Sequence, residues 1–168
     1  MPSCRICQYD YEPFISFGKM PIANGFLTSD QFDQEYFFEM QTGFCSNCKM
    51  VQLVDQPDRK KMFHENYAFF SSTSRYMAEH FKKFAASIRD EKLKSSDPFV
   101  VEIGSNDGIM LQNFAKSGIR HLGIEPSENV AQVAIKKGIQ TTSEFFDEAL
   151  AEKIVSEQGK ADAILAAN

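Results

Sequence analysis

The positions in this sequence whose types and spacing bear on chemistry are four cysteines and two carboxylates that flank a glycine-bounded turn. The cysteines all fall in the first 48 residues, as Cys4-x-x-Cys7 and Cys45-x-x-Cys48. Two such pairs have the ligand spacing of a tetrahedral zinc–thiolate site, each pair forming a knuckle and both knuckles closing on one ion. The 37 residues between the pairs exceed the usual finger interval, so a β-rich segment must lie between them. Two disulfides are the alternative, disfavoured because the start, Met-Pro-Ser-Cys-Arg, has no secretion signal. A redox Cys-x-x-Cys would follow a strand and open a helix, which neither pair does. With all four ligands supplied by protein, the zinc holds a fold together and activates no water.

The second constellation is Phe99-Val-Val-Glu-Ile-Gly-Ser-Asn-Asp-Gly108, followed by Leu122-Gly-Ile-Glu-Pro126. An apolar run breaks into a glycine-bounded turn, and a second apolar run ends on Glu125, 21 positions after Gly104. That order suits a nucleoside cofactor: glycine admits the ligand at the end of a buried strand, and an acid on the next strand accepts ribose hydroxyls. A dinucleotide turn needs G-x-G-x-x-G so that pyrophosphate can rest on a helix N-terminus. Here Asn106 stands at the second glycine position, Ile109 at the third, and Gly108 comes one place early. Glu102, two residues before Gly104, would repel pyrophosphate but suits a cation. S-adenosylmethionine, with an ammonium, a sulfonium and no phosphate, is therefore favoured over NAD. An ordinary strand–turn–helix would explain the glycines but not both acids.

These residues need elements to position them. Residues 1 to 56 read as short strands and turns (Phe14–Phe17, Tyr36–Met40, Met50–Val54), the last two bracketing the second knuckle like a zinc-ribbon hairpin. Residues 57–97 form a connector with a short helical turn, an aromatic and hydroxyl-rich stretch, and an amphipathic helix from about Ser74 to Leu93. Met77, Phe81, Phe84 and Ile88 make its expected core stripe. From residue 98 to 168 strands at 99–103, 120–124 and 161–166 alternate with helices at 108–117, 127–137 and 144–157, with an extended piece near 139–141. The expected fold class is α/β: a small β-rich zinc-binding domain, then the first half of a Rossmann-like parallel sheet. The cofactor should lie beyond the strand ends, at 104–108, 125–127, 145–147 and 166–168. His80 and His121 read as surface or packing residues, and His64 as the histidine nearest to plausible chemistry.

Composition narrows the function classes. A hydrophobic content of 43% supports a core and argues against wholesale disorder. A net charge of −5 without a basic run argues against nucleic acid as the main partner. No apolar segment reaches the roughly 18 residues needed to span a bilayer, so no membrane partner is expected and the location is read as cytoplasmic. An apolar strand at the sheet edge beside Asn168 predicts that further sequence or a second chain completes the sheet.

The motifs Cys-x-x-Cys, Phe44-Cys-Ser-Asn-Cys-Lys-Met-Val-Gln-Leu53, Met62-Phe-His-Glu-Asn-Tyr67, Val101-Glu-Ile-Gly-Ser-Asn-Asp-Gly-Ile-Met-Leu111 and Ala166-Ala-Asn168 occur in one order. Together they resemble the zinc-containing sugar C-methyltransferases that act on nucleotide-linked 4-keto-6-deoxy sugars, over roughly the first two-fifths of such a protein. The resemblance implies S-adenosylmethionine-dependent C-methylation through an enolate, zinc as a structural metal, and a nucleotide-sugar substrate. It implies that Glu102, Gly104, Asn106 and Gly108 form the cofactor turn and that Glu125 binds the ribose. It places Phe146 beside the adenine, Asn168 at the methionine portion and Tyr67 at the sugar site, where it assists proton transfer. Phe69 stands where some relatives have a second tyrosine, and the family's Glu-His pair of base chemistry lies beyond Asn168. Two alternatives stay open: a zinc-ribbon interaction or nucleic-acid module, opposed by the acidity, and an NAD-linked sugar oxidoreductase, opposed by Asn106 and Glu102.

Overall fold

The computed structural model describes residues 1–167 and divides into two compact units, Met1–Met62 and the chain from Phe63 onward. In the first unit, β1 (Glu12–Pro21), β2 (Phe37–Phe44) and β3 (Val51–Leu53) form an antiparallel sheet in the order β1-β2-β3. β1 is far longer than its apolar core, Phe14–Phe17, because it pairs with β2 from Glu12 to Pro21 through two irregularities in register. Pro21 therefore closes the strand. β2 and β3 pair Thr42 with Leu53 and Phe44 with Val51, so the second knuckle is the tip of a hairpin. Gly43 is required there: a Cβ would lie 2.1 Å from the Tyr11 ring, which packs buried against Cys4 and Cys45.

The second unit begins with a connector and α1 (Arg75–Glu91), capped by Ser74, whose hydroxyl accepts the Met77 amide at 3.3 Å. A parallel sheet follows, with β4 (Phe99–Ile103), β5 (Arg120–Ile124), β6 (Thr141–Thr142) and β7 (Ala163–Leu165) in the order β6-β5-β4-β7. Between them run α2 (Leu111–Lys116), α3 (Glu128–Lys136) and α4 (Glu148–Gln158). Side chains of β4 alternate between the two faces, as strand pleating requires. Val100 packs with Phe81 and Ala85 of α1, Leu111 and Phe114 of α2 and Ala134 of α3. Phe99 and Val101 pack with Leu122, Ile124 and the α4 residues Leu150 and Ile154. Helices thus cover both faces of the sheet.

The α1 stripe differs from the expected one. Ala78, Phe81, Ala85 and Ile88 face the core, whereas Met77 and Phe84 are each 40% exposed. The i, i+3, i+7, i+10 set keeps closer to one face than a stripe built on the larger side chains. Phe84 instead stacks on His80, with ring centroids 6.5 Å apart. α2 starts three residues later than expected because Gly108 to Met110 complete the turn. α4 starts at Glu148, where the Asp147 carboxylate accepts the Leu150 amide at 3.0 Å.

His121 is buried, and its ring is fixed as one tautomer. Its Nδ1 lies 2.8 Å from the Ile119 carbonyl, which can only accept, and the Gln140 amide donates to Nε2 at 3.2 Å. With both ring nitrogens engaged by main-chain groups, the ring is structural. Among the described residues no helix is long and apolar enough to cross a membrane.

The chain order steps outward from β4 to β5 to β6 and then returns to the other side of β4, so strand order reverses at the end of β4. That is where an open parallel sheet forms a ligand crevice. Gly104, Asn106 and Gly108 all have positive φ (69°, 49° and 77°), which folds the chain back over the strand ends. A Cβ on Gly108 would come within 2.3 Å of Ile139, so this glycine is held by conformation and by space. Gly108→Ala is expected to destabilise the chain by about 1–3 kcal/mol in urea unfolding. Gly118→Ala, with similar φ but no atom within 4 Å of the new Cβ, should cost about 1 kcal/mol. Equal losses would show that Ile139 does not press on Gly108.

Candidate functional site

Two sites emerge, one in each unit. In the first, the four cysteine Sγ atoms lie within 4.8 Å of one another. Cys4 and Cys48 are 3.5 Å apart, as are Cys7 and Cys45, close to the edge of roughly 3.8 Å expected for four sulfurs about 2.3 Å from one zinc. The two knuckles repeat one hydrogen-bond pattern. The Cys4 amide donates to Tyr9 and the Gln8 amide to Cys4, each at 2.9 Å, while Cys45 to Met50 and Lys49 to Cys45 give the same distance. Gln8 and Lys49 take positive φ (61° and 66°), the turn each knuckle needs to present two sulfurs on one side. All four thiols are free and the donor set is soft, so the cluster fits zinc.

The thiols differ in acidity. An amide hydrogen bond from Cys7, opposed by burial and aided by Ile6, Gln52 and Cys48, lowers the Cys4 thiol to about 6. The Met50 amide favours a Cys48 thiolate, but burial and the three neighbouring sulfurs push Cys48 up to about 12. A dication removes that conflict by drawing all four sulfurs to the thiolate form. Gln52 is the residue that spacing could not reveal. It is buried on β3, its Nε2 donates to Cys4 Sγ at 3.2 Å, and its Oε1 accepts the Arg5 amide at 3.2 Å.

In the second unit the turn after β4 joins the end of β5 through one carboxylate. Glu125 is 5% exposed, its Oε2 accepts the Asn106 amide at 3.0 Å, and its Oε1 accepts the Ser127 amide at 2.8 Å. Each oxygen keeps a further lone pair. Glu102 sits inside the sheet, between Gly123 and Leu165, and is 3% exposed. Burial, with the Glu125 charge second, pushes its carboxyl up to about 8. Gly123 makes room for the turn: a Cβ there would stand 2.5 Å from Ser105 Oγ.

The structure brings Glu102, Gly104, Asn106, Gly108 and Glu125 together around one turn. Tyr67 belongs to the same neighbourhood, since burial and then the Glu125 charge raise its phenol above the ordinary range. Phe146 is 38% exposed on the loop before α4. Its neighbour Phe145 meets Phe63 edge-on at 6.4 Å, and Phe63 meets Tyr67 at 5.7 Å, an aromatic cluster that the sequence reading did not contain. Asn168 lies outside the described residues. His64 caps its own turn, its Nδ1 accepting the Asn66 amide at 3.1 Å.

Around the turn, Glu102 Oε2, Ser105 Oγ, Ser127 Oγ and Asn129 Oδ1 are buried without a hydrogen-bond partner among the described residues. Buried polar atoms are ordinarily satisfied. Orphans gathered at a crevice fit a polar ligand that completes them.

With that geometry in hand, the comparisons with known proteins are specific. Residues 4–63 match the methyltransferase-associated family model described as "Putative zinc binding domain". Over 162 residues the chain is 29% identical to the C-methyltransferase NovU of Streptomyces niveus, covering 94% of this chain and 38% of that protein. The chain thus spans about two-fifths of the length of that curated relative. Among solved structures, the plantazolicin methyltransferase BpumL in complex with SAH is 20% identical, covers 51% of this chain and 33% of its own, and superposes with a TM-score of 0.37.

The purified protein should contain close to one zinc per chain, lost only on chelation that also unfolds residues 1–62. Gln52→Leu should weaken zinc binding about 10- to 100-fold in competition with a chromophoric chelator, by removing a donor to one ligand sulfur. Unchanged affinity would show that this amide does not support the metal.

Proposed function

We propose that this chain carries the zinc module and the cofactor-binding unit of an S-adenosylmethionine-dependent C-methyltransferase whose substrate is a nucleotide-linked 4-keto-deoxysugar. The single observation that carries the reading is the buried pair Glu102 and Glu125 beside the glycine turn. Glu125 at the strand ends is hostile to pyrophosphate, and Glu102, which burial holds protonated, can ionise against a cation carried on a nucleoside. Similarity to a C-methyltransferase supports the reaction class.

In this reading residues 1–56 are the metal-organised module, 57–97 a connector and 98–168 the cofactor-binding domain. Glu125, fixed by two backbone amides, offers its remaining lone pairs to the ribose hydroxyls. Gly104 and Gly108 let the backbone approach, and Glu102 faces the cationic end. Phe146 flanks the adenine, and Asn168 serves the methionine portion. When bound, S-adenosylmethionine supplies an electrophilic methyl group. The 4-keto group of the sugar acidifies the proton on carbon 3, and removal of that proton gives the nucleophilic enolate. Tyr67, held protonated by burial, is suited to donate a hydrogen bond at the sugar side and to assist proton transfer. The four-thiolate zinc takes no part in that chemistry and serves to hold its module together.

Acidity gives this reading a sharp signature. Folding raises the Glu102 carboxyl from 4.5 to about 8, so between those pH values the folded chain holds more protons than the unfolded chain. Stability of the ligand-free protein should therefore fall as pH rises through that window, and Glu102→Gln should flatten the slope. A cationic group at the site favours the carboxylate, so S-adenosylhomocysteine, through its ammonium, should bind at pH 7 with release of a large fraction of a proton. Calorimetry in buffers of different ionisation enthalpy measures that release, and Glu102→Gln should abolish it. Glu125→Ala should weaken the same binding by about 1–3 kcal/mol. Binding with no buffer dependence, or tighter binding of NAD, would refute the assignment.

A further inference from the structure

The residue at the second glycine position of the turn has its side chain engaged with another part of the same unit. Asn106 Nδ2 donates to the Phe69 carbonyl at 3.1 Å, and Asn106 Oδ1 accepts the Ser71 amide at 2.8 Å. One amide therefore grips both sides of a short stretch of main chain. A second amide holds the segment nearer Tyr67 by a single bond, Asn129 Nδ2 donating to the Tyr67 carbonyl at 2.8 Å. The next turn residue adds a third fastening. Asp107 is 1% exposed and accepts from the Ser72 amide at 3.2 Å and from the Ser72 hydroxyl, while Lys137 Nζ reaches the same carboxylate at 3.1 Å.

We propose that Asn106 and Asn129 are positioning residues whose side-chain amides fasten the Tyr67–Ser72 segment across the cofactor turn and so set the place of Tyr67 beside Glu125. The residue type at 106 follows from the two demands placed on it. The turn requires φ of 49°, which asparagine, aspartate and glycine adopt more readily than other residues. Glycine would satisfy the turn but could hold nothing. Aspartate could accept from Ser71 but could not donate to Phe69. Asparagine alone among the three both donates and accepts. The backbone amide of the same residue donates to Glu125 at 3.0 Å, so the acid, the turn and the Tyr67 segment form one connected unit. A ligand that orders the turn then orders Tyr67 with it.

The inference rests on the methyl-transfer reading for what Tyr67 does, not for what holds it there, and the test keeps the two apart. Asn106→Gly preserves the backbone conformation and the bond to Glu125 while deleting both grips on the segment. Asn129→Ala deletes the bond to the Tyr67 carbonyl and keeps the test open should the first variant fail to fold. In the parent chain labelled with 13C-tyrosine, and with the Tyr67 signal assigned by Tyr67→Phe, Tyr67 should titrate above the ordinary tyrosine range. Both variants should bring its midpoint down toward that range, and Asn106→Gly should speed amide exchange at Ser71 about tenfold or more. A merely structural contribution would lower the melting temperature without moving the Tyr67 midpoint. Folded variants that keep the parent's Tyr67 midpoint and Ser71 protection would overturn the proposal. Addition of S-adenosylhomocysteine to the parent should also shift the Tyr67 signal. Failure of the parent to bind it would remove the cofactor reading and leave the Tyr67 and Ser71 results standing on their own.

Discussion

The second unit depends on one carboxylate engaged by the main chain on both sides. Glu125 directly follows β5, yet its two oxygens take amides from the turn after β4 and from the start of α3. Charge-assisted hydrogen bonds of this kind are stronger than neutral ones, and their desolvation cost is met because both oxygens are engaged. Without that acid, the Asn106 amide and the buried Ser127 amide would lose their partner and the strand ends their common anchor. The left-handed residues of the turn and the glycine at 123 allow this closure sterically. The crevice therefore has a rigid acid at one side and, at Glu102, an acid whose charge burial suppresses.

The zinc module solves a different problem by a related route. A sheet of three strands with many exposed apolar side chains has little core of its own. Its buried cluster is built from Cys4, Cys45 and Tyr11, with Cys7, Cys48 and Val54 packed against it. Metal binding supplies folding free energy in such a unit, because the four thiolates cannot be gathered without a cation to neutralise them. The repeated hydrogen-bond pattern of the two knuckles shows how little sequence is needed to build the cage: a spacing, a left-handed residue after each pair, and one glutamine on the adjoining strand.

How much of this was legible in the sequence depends on the range of the forces involved. Cys-x-x-Cys spacing is a local signal, and the cage it implies is the cage that forms. The alternation of apolar strands and helices is also local, and β4, β5 and α3 lie within a residue or so of their expected positions. The length of β1 was not legible, because pairing with β2 extends it beyond its apolar centre. The core face of α1 departs from the stripe of its large apolar side chains because Ala78 and Ala85, not Met77 and Phe84, pack in the core. Asn129, Phe145, Ser105 and Gln52 could not be singled out, since nothing in a lone asparagine or phenylalanine reveals a partner 62 or 82 positions away. Asn106 was visible as the departure from a dinucleotide turn. Its side-chain partners were not, because Phe69 and Ser71 approach it only in three dimensions.

The most direct test of the central claim is the crystal structure of the protein grown with S-adenosylhomocysteine. The account predicts the nucleoside at the ends of β4 and β5, with ribose hydroxyls hydrogen-bonded to Glu125 and the ammonium on the Glu102 side of the turn. A ligand seated elsewhere, or ribose and ammonium both beyond reach of those two acids, would contradict it.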